Sequence, residues 1–137
     1  MKFVILILFI AIFSPAAFAT SNLVDLSGAF LTRIQEKKDV EDIIKKLEST
    51  TIEDITTDLD TENKKFAFWV NIYNGFIQYH LTKHPEYFED RGNFFSEKRI
   101  KIAGELLAFS DIEHGIIRKS QHPLMLGKHQ RWFIPKW

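Results

Sequence analysis

The chain has 137 residues, 45% of them hydrophobic and 26% charged, with 18 basic residues against 18 acidic ones. That profile describes one globular domain and excludes a disordered chain or a charged tail. Formal charge is zero and no Lys/Arg run exceeds two residues, which argues against nucleic acid as a partner, while the lack of cysteine removes disulfides, thiolate zinc sites and thiol nucleophiles.

Lys2 is the sole charge before Asp25, and it precedes an apolar run from Phe3 to Phe13, then Ser14-Pro15 and Ala17-Phe18-Ala19. These are the three parts of a signal peptide, so residues 1–19 are expected to be removed and the mature chain, 20–137, to be exported to the periplasm or the extracellular space. The apolar core is shorter than the roughly 20 residues that a bilayer demands and Pro15 interrupts it, so no membrane association is expected after cleavage. No Asn-x-Ser/Thr acceptor for N-glycosylation occurs.

In the mature chain, Leu23, Leu26, Phe30 and Ile34 recur at helical spacing, as do Val40, Ile43, Ile44 and Leu47, and then Ile52, Ile55 and Leu59. Three consecutive amphipathic helices are expected, the third restarted by a capping box of Thr50 with Glu53. From Lys64 to about Thr82, apolar residues from Phe66 through Phe76 to Leu81 leave almost no polar face, the pattern of a central, buried helix. Pro85 stops it at His84. Glu86 to Ser96 reads as a loop with aromatic anchors, and Arg99 to Phe109 as a short hairpin turning at Ala103-Gly104. A last helix is expected from Asp111 to about Lys119, capped by Ser110 with Glu113. Neither an internal repeat nor a linker to a second domain is present.

Several side chains carry candidate chemistry. Asn71, Asn74 and Gln78 share one stripe of the buried helix, where amides tie neighbouring backbone in place or, in a functional role, polarise a substrate oxygen. His80 and His84 stand one turn apart, the spacing of two imidazoles on one metal, but position 81 is Leu where a metalloprotease helix carries its general-base Glu. No cofactor and no metal are expected. Asp111, Glu113, His114 and Arg118 lie within two turns: they answer the helix dipole, or else His114 is a general base oriented by Asp111 or Glu113. His122 and His129 read as surface-loop residues, and Arg131 to Trp137 is an aromatic cluster where termini are usually polar.

The runs Phe68-Trp69-Val70-Asn71-Ile72-Tyr73-Asn74-Gly75, Tyr87-Phe88-Glu89-Asp90-Arg91 with Phe94-Phe95, Ile102-Ala103-Gly104 and Ser110-Asp111-Ile112-Glu113-His114-Gly115-Ile116-Ile117-Arg118 resemble the domain of unknown function 547 (DUF547) family, over about residues 64–126. Gly75 stands where that family commonly has Ala, and Ala108 where it commonly has Ser. The family's usual continuation, an Asp-Pro-Arg-x-His-Phe-Ala-Leu-type segment and a Cys-containing stretch, has no counterpart, which suggests a chain incomplete at its C-terminus.

The resemblance implies a mostly helical α+β domain, often exported in bacteria, with a central buried helix and a short hairpin. A fold-level analogy to papain-like and transglutaminase-like hydrolases exists, but the positions after Trp69 hold Val70 and Asn71, no thiol. Two functions are therefore weighed. The first is a non-catalytic or incomplete binding module of the cell envelope with an unidentified protein or small-molecule partner. The second is a small envelope hydrolase using His114 with Asp111 or Glu113, and Asn71 or Asn74 as polarising donor.

Overall fold

Helix α1 (Leu23–Gln35) turns Leu23, Leu26, Ser27 and Phe30 inward, and the Asn22 side chain caps it by accepting from Asp25 N–H at 2.8 Å. The structure, a computed structural model, describes residues 22–118. The expected signal peptide, His122, His129 and the aromatic cluster at 131–137 lie outside the described residues. Helix α2 (Glu41–Ser49) buries Ile43 and Leu47, and α3 (Ile52–Asp58) buries Ile55. The break between α2 and α3 is built one residue later than the sequence suggested. Thr50 is the extended residue closing α2, its hydroxyl donating back to the Lys46 carbonyl at 2.8 Å, so Thr51 caps α3 instead. Thr51 Oγ1 accepts from Asp54 N–H and Asp54 Oδ2 accepts from Thr51 N–H, both at 3.0 Å.

Helix α4 (Glu62–Lys83) is the spine of the fold. Phe68, Trp69, Ile72, Gly75 and Phe76 are buried along it, and α1 packs on it more extensively than any other pair of elements meets. Phe30 of α1 packs over Gly75, with the Phe30 and Phe76 rings 4.8 Å apart. Contrary to the expectation of a helix apolar and enclosed all round, Phe66 is 58% exposed and Asn74 is exposed, because α1 covers one flank and the segments that follow α4, among them the last helix, cover another, leaving a strip uncovered.

After α4 the chain is not a plain loop. Pro85–Phe88 forms a 3-10 turn and α5 (Arg91–Ser96) follows, capped by Asp90 accepting from Asn93 N–H at 3.1 Å; its single turn is too short for periodicity to reveal. Strands β1 (Lys98–Ile102) and β2 (Glu105–Ala108) pair antiparallel as a two-stranded hairpin, as expected. Both turn residues, Ala103 (φ 51°) and Gly104 (φ 76°), are left-handed, the geometry of a tight two-residue turn that matches strand twist. Ala103 N–H donates to the Leu47 carbonyl at 3.1 Å and so ties the hairpin to α2. A bulge between Lys98 and Ile100 shifts the register.

The last element runs where a helix was expected, Asp111–Ile117, but it is wound as a π-helix: Arg118 N–H reaches the Glu113 carbonyl five residues back at 3.0 Å. Ser110 makes no cap bond, so the expected Ser110–Glu113 box is absent. Asp111 Oδ2 instead accepts from Ala108 N–H at 2.9 Å. The architecture is a mostly helical α+β domain with one continuous core from Leu23 to Ile112.

Candidate functional site

The side chains of interest lie in three regions of α4. In the first, Tyr73 meets the π-helix: its hydroxyl donates to Glu113 Oε2 at 3.0 Å, its ring stands edge-on to Phe109 at 5.8 Å, and Arg118 pairs with Glu113 Oε1 at 2.9 Å. Burial and the Glu113 carboxylate beside it push the Tyr73 hydroxyl up to about 12, so it stays a donor at neutral pH. Glu113 is thus held between a phenol and a guanidinium. His114 is half-buried, and its side chain makes no hydrogen bond among the described residues.

The remaining candidates stand apart from this cluster. Asn71 is turned toward α1, where its Nδ2 donates to Ser27 Oγ at 3.2 Å, and Ser27 passes its own proton to the Val24 carbonyl at 2.7 Å. That chain of bonds satisfies the donor of a half-buried amide, where a fully buried orphan would cost about 1–3 kcal/mol. Asn74 is exposed, and Asp111 is occupied by the Ala108 amide. Among the described residues, none of Asn71, Asn74, Asp111, Glu113 and His114 bonds through its side chain to another of the five.

Two turns further along the face that carries Tyr73, His80 lies in an aromatic layer, with ring centroids 6.0 Å from Phe76, 6.5 Å from Phe94 and 6.1 Å from Phe109. Its Nε2 is buried without a partner, and burial followed by the nearby Arg99 charge pushes its pKa down to about 4. His84, one turn on, is exposed; its Nδ1 sits 3.0 Å from Glu86 Oε1 and its ring stacks on Tyr87 at 4.8 Å. The two imidazoles thus stand in unlike surroundings. No group of three His, Cys, Asp or Glu side chains placed to hold a metal ion occurs among the described residues.

The third region is a groove of about 620 Å³ between the C-terminal ends of α1 and α4. Ile34, Val40, Ile77 and Leu81 give it apolar walls. At its lip Tyr79 OH donates to Glu41 Oε1 at 2.8 Å, and Lys83 Nζ lies 3.1 Å from the same carboxylate and 2.6 Å from the phenol oxygen. Hydrogen bonds from Tyr79 and Lys83 hold the Glu41 carboxyl below its ordinary range. Sequence reasoning missed this groove, since it joins residues about 40 positions apart; Tyr79 and Lys83, one turn apart, were its only local signal.

No helix among the described residues is long and apolar enough to cross a membrane. No curated protein and no solved structure matches the chain. The DUF547 family, described as proteins of unknown function, matches residues 56–135, more than half of the sequence and the part that carries α4, the hairpin and the π-helix. With the two motifs in their expected order on α4 and the π-helix, the chain belongs to the DUF547 family.

Proposed function

We propose that the chain is an exported, non-catalytic binding module that takes a small amphiphilic molecule in the groove between α1 and α4. The carrying observation is the groove itself. Its volume of about 620 Å³ is that of a small-molecule site, its walls are aliphatic, and its lip carries one fixed polar cluster, Glu41 with Tyr79 and Lys83. The surroundings of the catalytic candidates support the same reading: Asn71 is committed to Ser27, Asp111 to a backbone amide and Glu113 to Tyr73 and Arg118.

The test uses 1-anilinonaphthalene-8-sulfonate, an apolar body with an anionic group, on protein that melts cooperatively. Saturable binding that Ile77→Lys abolishes and His114→Ala leaves unchanged is the expected result. Absence of saturable binding, or binding indifferent to Ile77→Lys, overturns the groove as the site. Export predicts that protein recovered outside the cytoplasm begins at Thr20.

A second reading, an envelope hydrolase with His114 as general base, is favoured by one observation: His114 sits half-buried and unbonded among the described residues on a π-helix, a geometry frequent at functional positions. It requires activity on an ester or amide panel that His114→Ala removes while the fold survives; equal activity of the two proteins ends it.

A further inference from the structure

The chain leaves α1 through a residue in a left-handed conformation. Lys37 has φ 57°, its N–H donates to the Ile34 carbonyl at 3.0 Å, and the Lys38 N–H donates to the Arg33 carbonyl at 2.8 Å. This pair of bonds is a Schellman ending of α1, and its left-handed position favours glycine because a β-carbon there crowds the backbone. A lysine therefore stands where the fold alone is better served by glycine, and local strain of this kind collects at ligand sites. Lys37 lines the groove between α1 and α4.

The ions around the groove single out the same residue. Lys38 pairs with Glu36 at 2.7 Å, Lys83 pairs with Glu41 at 3.1 Å, and the Asp39 carboxylate accepts from the Glu41 N–H at 3.4 Å. Of the five charged residues that line the groove, Lys37 alone makes no side-chain hydrogen bond or ion pair among the described residues. Glu41, which would repel an anion, is held by Tyr79 and Lys83. One uncompensated ammonium beside aliphatic walls complements an apolar chain that ends in a single negative charge. A dianion such as a phosphate monoester would bring a second charge toward Asp39 and Glu41 with no cation left to meet it. The lysines are also too sparse for an anionic bilayer, since no Lys/Arg run exceeds two residues, so the occupant is a single molecule. We infer that Lys37 is the head-group residue of the groove and that the ligand is a monoanionic amphiphile of the fatty-acid type, an inference that rests on the groove being the binding site.

Monomeric decanoate is the probe, titrated calorimetrically into the full mature chain beside decanol, which has the same alkyl chain without the charge. The expected result is saturable decanoate binding, about threefold to tenfold tighter than decanol, with the gap closing as salt is raised. Lys37→Gly and Lys37→Asn, both at ease in left-handed backbone, close the gap by weakening decanoate, while Lys37→Arg keeps it. Lys37→Gly also raises the melting temperature by a few degrees, so affinity and stability move in opposite senses, which a purely structural lysine would not produce. Decanol bound as tightly as decanoate, a gap that both neutral variants leave intact, or a preference for phosphatidylglycerol vesicles over the free acid overturns the inference and leaves the groove standing. A joint fall of melting temperature and decanoate affinity in Lys37→Gly overturns it as well. Decanol binding that survives Ile77→Lys overturns the groove itself.

Discussion

Gly75 of α4 lies under the Phe30 ring of α1, and a methyl group there would meet Phe30 Cδ1 and Cε1 at 2.6 Å. Phe30 is fully buried, so its ring has no solvent to swing into. An alanine in mid-helix gains about 1 kcal/mol over glycine from backbone entropy, whereas overpacking a filled core costs about 1–3 kcal/mol. The clash wins, and Gly75→Ala is expected to lower unfolding free energy in urea even though alanine is common at this position in the family. In a Phe30→Leu background, where the ring is gone, the same substitution should be neutral or stabilising; additive effects in that cycle would show that the two residues do not touch. His80 carries a second consequence at this scale. Its pKa falls from 6.5 to about 4 on folding, so between those values the unfolded chain binds the extra proton and acidification erodes stability. The contribution is whole above pH 6.5 and is lost as pH falls toward 4. Melting temperature should therefore drop across that window, and His80→Phe should flatten the drop; parallel curves for the two proteins would place His80 in a solvated setting.

Elements carry the contrast between what the sequence discloses and what it hides. Leu23, Leu26 and Phe30, Ile43 and Leu47, and Ile55 and Leu59 are buried as their spacing required, whereas Ile52, expected on the same face as Ile55, is 46% exposed at the first position of α3. The hairpin was legible locally as well, its turn residues lying between two short apolar runs. Capping failed where two polar residues compete. Thr50 and Thr51 are both competent, and the choice fell to Thr51 because Thr50 is spent closing α2. The π-helix could not be read, since Ile112, Ile116 and Ile117 fit an α pattern equally well, and the wider winding goes with contacts to Tyr73 some 40 residues away. The site was legible only in part for that reason: the sequence named Glu113 but not Tyr73, whose hydroxyl reaches it from 40 positions earlier in the chain. Tyr73→Phe tests this coupling of elements. It keeps the ring against Phe109 and deletes one hydrogen bond to a carboxylate that stays 26% exposed and paired with Arg118, so the cost should be about 1 kcal/mol. The amides of Ile112 to Ile117 should exchange faster while those of α1 do not; unchanged exchange in the π-helix would mean that Tyr73 does not hold it.

At the scale of the molecule, the family match and the folding unit do not coincide. The match begins at residue 56, inside α3, yet Leu23, Leu26, Phe30, Val40, Ile43 and Leu47 from α1 and α2 belong to the same core as Phe76 and Ile102. Stripped of residues 22–49, α4 would present Phe76 and the Gly75 flank to water, Asn71 would lose Ser27, and the Ala103 amide would lose the Leu47 carbonyl. Each large apolar side chain removed from the core forfeits about 1.5–3 kcal/mol of burial, so the six together exceed the 5–15 kcal/mol by which a domain of this size is ordinarily stable, or consume most of it. A chain starting at Thr50 is therefore expected to lack a cooperative melt and to bind 1-anilinonaphthalene-8-sulfonate without saturation, the behaviour of a collapsed chain without fixed packing. Adding residues 22–49 back as a separate peptide should restore part of the helical signal, because α1 meets α4 through an extensive apolar face on which the two can fold together. A sharp thermal transition in the shorter chain alone would show instead that the matched segment closes its own core and that α1 and α2 are an accessory layer upon it.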